Sequence, residues 1–523
     1  MANKEPLLVK SGNVSDWIGY HARVTPEKCA TIDLASSRRQ TYAQMHHRVG
    51  CVAGMLNAYG IKKGDRVAFF AVNSSDILDI IFACWRMGAV CLALNYRLTA
   101  NELKFIINDS QPKILFYDHE FPKVITELQS SVQIDHWVEF DGLGGVSTFE
   151  KGIASASAIT NMVPQDYNDQ CMLMYSSGTT GRPKGIIITH GMMFFSALNG
   201  VPLSRLTSEA VCLTLMPIFH IGGLNVSCCP VIHMGATTVI MRYFDPELTL
   251  DVINDSQLGV NHLFAVPAAY NAMSAHPKAQ TTDFSRIVTA IAGAETVPPA
   301  LIKWWYEHGI VLQEGYGQTE SAASATLLPR ENVPEMAGSA GQGLMHTEII
   351  IVSSDGTPVL ANHPGEIWMR GPTITPGYWN NSKATKASFH GDWFKSGDVG
   401  RMDQNGFLFI EDRLTDMYIS GGENIYPAEI ENTLYEMSSI REVAVVGVPD
   451  SEWGEVGCAV IVLKDGVDFS KKQVEEYLEN RLAKFKHPKH FVFQKLLPRG
   501  ATGKVLKYEL RELFAGNLDS CSD

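Results

Sequence analysis

Long uninterrupted apolar runs are missing from this chain of 523 residues. The most apolar stretch, Ile77 to Leu94, is broken by Asp79 and Arg86, so it does not supply the ~20 apolar residues of a membrane-spanning helix. It predicts instead an amphipathic helix running into a buried strand, Ala89 to Leu94. Met1 to Gly12 has no apolar core of the kind a secretory leader carries. Ser520-Cys521-Ser522-Asp523 carries no peroxisomal or prenylation signal. Cysteine is sparse: ten are scattered, with no CxxC and no dense block. The expectation is therefore reduced thiols in a cytoplasmic protein. Cys228-Cys229 reads as two small buried apolar side chains rather than a redox pair. Positive charge is in deficit, and the net of −13 argues against nucleic acid as the main partner. There is no internal repeat and no low-complexity tail. The length exceeds what one core usually serves, which predicts more than one domain.

What is present alternates. Helices are expected at about 42–59, 76–87 and 100–109, and strands at 66–72, 89–94 and 113–117. This rhythm predicts an α/β fold with largely parallel sheet. Gly142 to Ser157 is rich in Gly, Ser and Ala and reads as surface loop. Strands are expected again at 210–215, 236–240, 263–266 and 287–292. Between about 345 and 412 short strands (348–352, 366–370, 407–410) alternate with Gly, Asp, Asn and Pro turns, which reads as a small β-rich subdomain. The last hundred residues read as a separate α+β unit, with helices at 428–436 and 471–482 and strands at 443–448, 458–463 and 491–493.

The densest chemistry lies in Tyr175-Ser176-Ser177-Gly178-Thr179-Thr180-Gly181-Arg182-Pro183-Lys184-Gly185, between the apolar runs Cys171 to Met174 and Ile186 to Ile188. A glycine-rich turn between strands can set backbone N–H groups against a phosphate, and hydroxyls and cations add to it. Pro183 stands five residues after Gly178, where the Walker A loop needs Gly-Lys-Ser/Thr, so a nucleotide would be handled differently. Charge is uneven elsewhere. Arg481 to Arg511 holds nine Lys/Arg and one acid, Glu509. By charge alone this is either a solvated face or a surface for polyphosphate.

The glycine-rich segment resembles the phosphate loop of the acyl-adenylate-forming (AMP-binding) superfamily, which includes acyl- and aryl-CoA synthetases, firefly luciferase and adenylation domains. Further matches follow in the family's order over nearly the whole chain. They are Gly315-Tyr316-Gly317-Gln318-Thr319-Glu320, Pro364-Gly365-Glu366, Lys395-Ser396-Gly397-Asp398 and Asp412-Arg413-Leu414-Thr415-Asp416. Gly421-Gly422-Glu423-Asn424-Ile425-Tyr426-Pro427-Ala428-Glu429 and Pro498-Arg499-Gly500-Ala501-Thr502-Gly503-Lys504 come after these.

The resemblance implies a two-step ligase. A carboxylate attacks the α-phosphate of ATP to give acyl-AMP and pyrophosphate, and the thiol of coenzyme A then displaces AMP. Anion attacks anion in the first step, so cations and fixed donors are the first need. The resemblance implies that Ser176, Ser177, Gly178, Thr179, Thr180, Gly181 and Lys184 hold the β- and γ-phosphates. Thr319 would touch the α-phosphate, and Glu320 would hold Mg²⁺. Gly293, Ala294, Glu295, Gly315, Tyr316 and Gly317 would line the adenine pocket. Asp398 would take the ribose hydroxyls, with Arg413 nearby. Lys504 would bridge the acid and the α-phosphate.

The family's arrangement is a large multi-part N-terminal domain (1–412), a hinge (413–415) and a small mobile C-terminal domain (416–523). Rotation at the hinge would bring Gly421, Gly422 and Glu423 to the coenzyme A channel. The family usually has Asp or Lys where Thr415 stands, which puts a hinge-lysine role in doubt. Phe219, His220, Asn225, Val266, Pro267, Ala268 and Gly293 would form the acyl pocket, with His220 between pocket and thiol tunnel. Amino-acid-activating relatives carry an aspartate at His220, so the acid is expected to be apolar. Gly222 and Gly223 are expected to leave room for a ring or a medium to long chain. The rival readings are an enzyme that loads a carrier protein, a luciferase-like oxygenase and a silent acyl-nucleotide sensor. No membrane span is expected, and a homodimer stays open.

Overall fold

The computed structural model describes residues 14–176, 183–295, 297–413, 416–420, 423–450, 453–467, 470–479, 481–482, 484–500 and 505–514. These build an α/β protein on four sheets, the last belonging to a small C-terminal unit. In the six-stranded sheet, Arg66–Phe70, Val90–Leu94, Ile114–Asp118, His136–Phe140 and Gln170–Ser176 run parallel. Lys184–Thr189 closes one edge antiparallel. Side chains alternate across a strand, so Val67 and Phe69 enter one core and Ala68 and Phe70 another. Burial on both faces explains why these strands read as continuous apolar runs.

The helix Ser75–Met87 is buried along its whole length, and no helix of the described residues is long and apolar enough to cross a membrane. Its three charges are matched inside the protein: Arg48 reaches Asp76 at 2.6 Å and, through Nε, Asp79 at 2.7 Å, and Arg86 reaches Asp16 at 2.9 Å. A buried charge needs such a partner. No disulfide joins two of the nine described cysteines, and burial pushes the Cys228 thiol up to about 12.

The loop expected at 142–157 is instead partly helical, at Thr148–Ser155. Ser147 caps it, accepting from the Glu150 amide at 3.2 Å, and buried Phe149 packs on Phe116 and Phe140. A cap and one apolar anchor outweigh a small-residue composition.

The nine-stranded sheet has a parallel centre: Cys29–Asp33, Thr237–Ile240, Val211–Thr214, His262–Ala265, Thr289–Gly293 and Leu312–Tyr316. A five-stranded antiparallel sheet follows, built from Glu348–Val352, Gly365–Arg370, Phe389–His390, Trp393–Met402 and Leu408–Arg413.

In the C-terminal unit, Tyr418–Ser420, Glu423–Ile425, Ile440–Asp450 and Gly454–Leu463 pair antiparallel, and His490–Phe493 joins parallel. Here the basic 481–511 segment finds its partners. Lys486 meets Glu429 at 2.6 Å, Lys489 meets Asp450 at 2.6 Å, Arg499 meets Glu442 at 2.8 Å and Lys507 meets Glu431 at 2.8 Å. Arg511 pairs with Asp416, and Arg481 stacks on Tyr477. Asp416 to Asp450 carries seven acids and one arginine, so two oppositely charged segments meet. Five of the nine cations are thus paired with acids of 416–450, while Lys484 and Lys495 are exposed, so the segment's charge is offset in part.

Candidate active site

Parallel strands deliver their carboxyl ends to one edge of a sheet, where α/β proteins bind ligands. There Gly293 lies opposite Gly315 in register. A Cβ on Gly293 would stand 2.7 Å from the Gly315 carbonyl oxygen, so the two strands approach closely only without a side chain. Ala294 follows with φ +72°, a left-handed conformation that costs an L-residue on the order of 1 kcal/mol and is held by its surroundings. Beyond Gly315, the Tyr316 hydroxyl donates to Asp398 Oδ2 at 2.7 Å. The Gln318 amide reaches the same oxygen and the Ser396 carbonyl, each at 3.3 Å. Asp398 faces Arg413 in the antiparallel register of the next sheet. Residues 315–320, 395–398 and 413, far apart in sequence, thus share one place.

Thr319–Ser321 form a single 3₁₀ turn closed by Ala322 (φ +53°) and Ala323 (φ +84°). Gly317 is obligatory in this tight ring, because a Cβ would stand 2.1 Å from the Ala323 carbonyl oxygen. The ring is tied down from behind. The Ala322 carbonyl accepts from Ser196 Oγ at 2.8 Å and from Asn225 Nδ2 at 2.7 Å. Asn225 is only 2% exposed and supports the Thr319–Ala323 turn through its amide.

The foot of the glycine-rich segment is an antiparallel hairpin in which Ser176 faces Lys184. Ser177, Gly178, Thr179, Thr180 and Gly181 lie outside the described residues. Segment 375–379 zips onto the hairpin: Ile187 N donates to the Gly377 carbonyl at 3.1 Å, and Trp379 N to the Gly185 carbonyl at 2.7 Å. This brings in Tyr378, whose hydroxyl donates to Glu320 Oε1 at 3.0 Å and whose ring lies 5.3 Å from Lys184 Nζ. No spacing rule joins residues 378 and 320, so sequence reasoning missed Tyr378; the Pro-Gly turn before two aromatics was the only signal.

Burial raises the carboxyl pKa of Glu320 above its ordinary value, and Lys184 partly offsets this. Mg²⁺ is usually held by one or two carboxylates plus substrate phosphates rather than by a protein cage. Among the described residues no group of three or more His, Cys, Asp or Glu comes together. A lone carboxylate beside a phosphate-loop lysine therefore fits a metal that shares its ligands with a nucleotide.

His220 caps the helix Ile221–Ser227, its Nδ1 accepting from the Gly222 amide at 3.2 Å. For a neutral ring this assigns the proton to Nε2. Phe219 is buried, its ring edge-on to Tyr96 at 5.2 Å. The glycine pair does not leave open room. A Cβ on Gly223 would stand 2.1 Å from the Pro217 carbonyl oxygen, and one on Gly222 would stand 3.1 Å from the Phe264 ring. The same ring lies 3.9 Å from where a Gly293 Cβ would be. Gly222 and Gly293 thus both approach the Phe264 ring, which sequence reasoning left out of the pocket. Val266 and buried Pro267 continue from this strand into the helix Pro267–Ala275, and Ala268 is exposed.

Glu295 approaches the C-terminal unit, where its charge acts on Arg499 and Tyr435. Glu423 opens the strand Glu423–Ile425. Gly421, Gly422, Thr415 and Lys504 lie outside the described residues.

One buried acid has no assigned role. Glu314 is 3% exposed, accepts only the Val297 amide at 3.4 Å, and leaves Oε2 without a partner among the described residues. Burial pushes its pKa from 4.5 up to about 8. The unfolded chain releases this proton near pH 4.5, whereas the folded protein keeps it to about pH 8. The stability it contributes is complete below the lower value and is lost as pH rises through the upper one. Glu314→Gln has no such proton to lose. Its melting temperature is expected to match the wild type near pH 5 and to exceed it by a few degrees at pH 8.5. Parallel melting curves across this range would refute the assignment.

A family profile described as "AMP-binding enzyme" matches residues 19–379, and one described as "AMP-binding enzyme C-terminal domain" matches residues 429–504. Feruloyl-CoA synthase of Amycolatopsis sp is 36% identical over 507 residues, covering 97% of this chain and 100% of that protein. Indoleacetate–CoA ligase of Aromatoleum aromaticum is 37% identical over 504 residues, covering 96% and 98%. The crystal structure of ATP-bound MatB from Rhodopseudomonas palustris superposes with a TM-score of 0.88 at 30% identity, covering 95% and 99%.

Proposed function

The chain belongs to the AMP-binding enzymes and is an AMP-forming acid–CoA ligase that uses ATP and coenzyme A; from this premise we propose that its acid is apolar and ring-bearing. The observation that carries the reading is aromatic packing around the expected acyl pocket: the Phe264 ring meets Gly222 and Gly293, and the Phe219 ring meets Tyr96. Aromatic side chains gathered at this end of the sheet would pack on a flat π-system better than on a flexible chain. Ligases named for feruloyl and indoleacetate substrates are 36–37% identical to this chain and one named for long-chain fatty acids is 35% identical, so identity supports the ligase class and leaves the acid to experiment.

In the proposed scheme, residues 1–412 hold ATP and the acid, 413–415 act as hinge, and 416–523 rotate. Ser176 and Lys184, with the loop Ser177 to Gly181, hold the β- and γ-phosphates. Thr319 meets the α-phosphate, and Glu320 holds Mg²⁺, which supplies charge neutralisation at the phosphate oxygens. The adenine lies against Tyr316 and Gly293-Ala294-Glu295. Asp398 already accepts from Tyr316 and Gln318, which orients its carboxylate, and its remaining acceptor capacity serves the ribose hydroxyls. The acid's carboxylate oxygen attacks the α-phosphorus, the bond to the β-phosphate oxygen breaks, and pyrophosphate leaves. In the second step the thiol sulfur attacks the acyl carbon, the bond from that carbon to the phosphate oxygen breaks, AMP leaves and the thiol proton passes to solvent. His220, its Nδ1 engaged by the Gly222 amide, stands between the acyl pocket and the thiol tunnel. Gly421, Gly422 and Glu423 line the thiol channel.

The test is pyrophosphate release and thioester formation over arylpropenoic, arylacetic, medium-chain and long-chain acids, with and without coenzyme A. Arylpropenoic or arylacetic acids are expected to give the highest kcat/KM. Preference for an unbranched chain would overturn the ring reading and keep the ligase class. Adenylation without any thioester would favour a carrier-protein acceptor.

A further inference from the structure

We infer, resting on the ligase reading above, that Tyr378 is a positioning residue for the first half-reaction: it sets the Glu320 carboxylate and the Lys184 ammonium at one fixed spacing. Its hydroxyl holds Glu320 Oε1 at 3.0 Å, and its ring faces Lys184 Nζ at 5.3 Å. A cation over an aromatic face within about 6 Å is attracted to it. A phenol donating to a carboxylate makes a charge-assisted bond. Tyr378 therefore serves two opposite charges with two different parts of one side chain. Without it, lysine and carboxylate in a half-buried site would attract each other, and a direct ion pair would close the space a triphosphate needs.

Tyr378 is itself immobilised, which a positioning group requires. It is 8% exposed, its amide donates to Thr385 Oγ1 at 2.9 Å, and it bridges to Ile186 in the hairpin strand. The neighbouring bonds from Ile187 to Gly377 and from Trp379 to Gly185 clamp the backbone on both sides. On the other side, the Glu320 carbonyl accepts from the Thr375 amide at 2.8 Å. The carboxylate and the tyrosine that holds it are thus tied to the same short segment. A tyrosine that merely filled core volume would have no need of its hydroxyl here, and this difference is measurable.

Tyr378→Phe keeps the ring and deletes only that hydroxyl. Binding of ATP with Mg²⁺, measured calorimetrically without acid, is expected to weaken about tenfold. AMP, which has neither the β,γ-phosphates nor the metal, should bind within twofold of wild type. In a Glu320→Gln background the same change should cost little, since its effect runs through the carboxylate. Unchanged Mg·ATP affinity would overturn the inference and leave the ligase reading standing. Equal loss of AMP and ATP, or loss of the melting transition, would make Tyr378 a packing residue and overturn it as well. A wild-type protein that bound no Mg·ATP would overturn both the ligase reading and this one.

Discussion

Lys504→Ala is expected to lower acid-dependent pyrophosphate release by about 10²- to 10³-fold, while thioester formation from supplied acyl-AMP stays within a few-fold of wild type. The asymmetry follows from the chemistry of the two steps. In the first, negative charge accumulates where the attacking carboxylate meets the α-phosphate, and a cation bridging them is worth most in the transition state. In the second, a thiol meets an activated acyl carbon whose leaving group is already a phosphate anion, and the bridging cation has no partner to join. In sequence the lysine follows Arg499 by five residues, and Arg499 pairs with Glu442 and lies within electrostatic reach of Glu295. The C-terminal unit therefore lies within electrostatic reach of the Gly293-Ala294-Glu295 edge of the cleft. Equal loss of both steps would show that Lys504 acts through the fold instead.

The fold was largely legible because its two parallel sheets are buried on both faces. Arg66–Phe70 and Val90–Leu94 are continuous apolar runs between helical periods, and that texture has few other readings. Gly142 to Ser157 misled because composition was weighed over a single Ser147 cap and the Phe149 anchor. The basic 481–511 segment was legible as charge but not as pairing: the acids of 416–450 that meet five of its cations are distant in sequence. In the candidate site, the glycines were legible by type and only partly by purpose. Gly317 and Gly223 are demanded by carbonyl oxygens 2.1 Å from an added Cβ, and neither leaves open volume. Phe264 and Tyr378 were invisible because contacts across strands and subdomains leave no periodic trace in sequence.

Glu320→Gln is expected to lower acid-dependent pyrophosphate release by about 10²- to 10³-fold for a reason that separates it from Lys504→Ala. The amide has nearly the shape of the carboxyl, and its oxygen can still accept from the Tyr378 hydroxyl, so the local packing survives. The negative charge that would hold a divalent cation is gone. The half-saturating Mg²⁺ concentration should rise with the loss, and affinity for Mg·ATP should fall, whereas Lys504→Ala should leave both near wild type. Stability should move the other way. Burial holds the Glu320 carboxyl pKa above its ordinary value, so the ionised carboxylate costs folding free energy that a neutral amide does not. An unchanged or slightly raised melting temperature near neutral pH is therefore expected beside the lost activity. A variant that adenylates at the wild-type rate, or loses activity only because it unfolds, would remove Glu320 from the metal's side of the reaction.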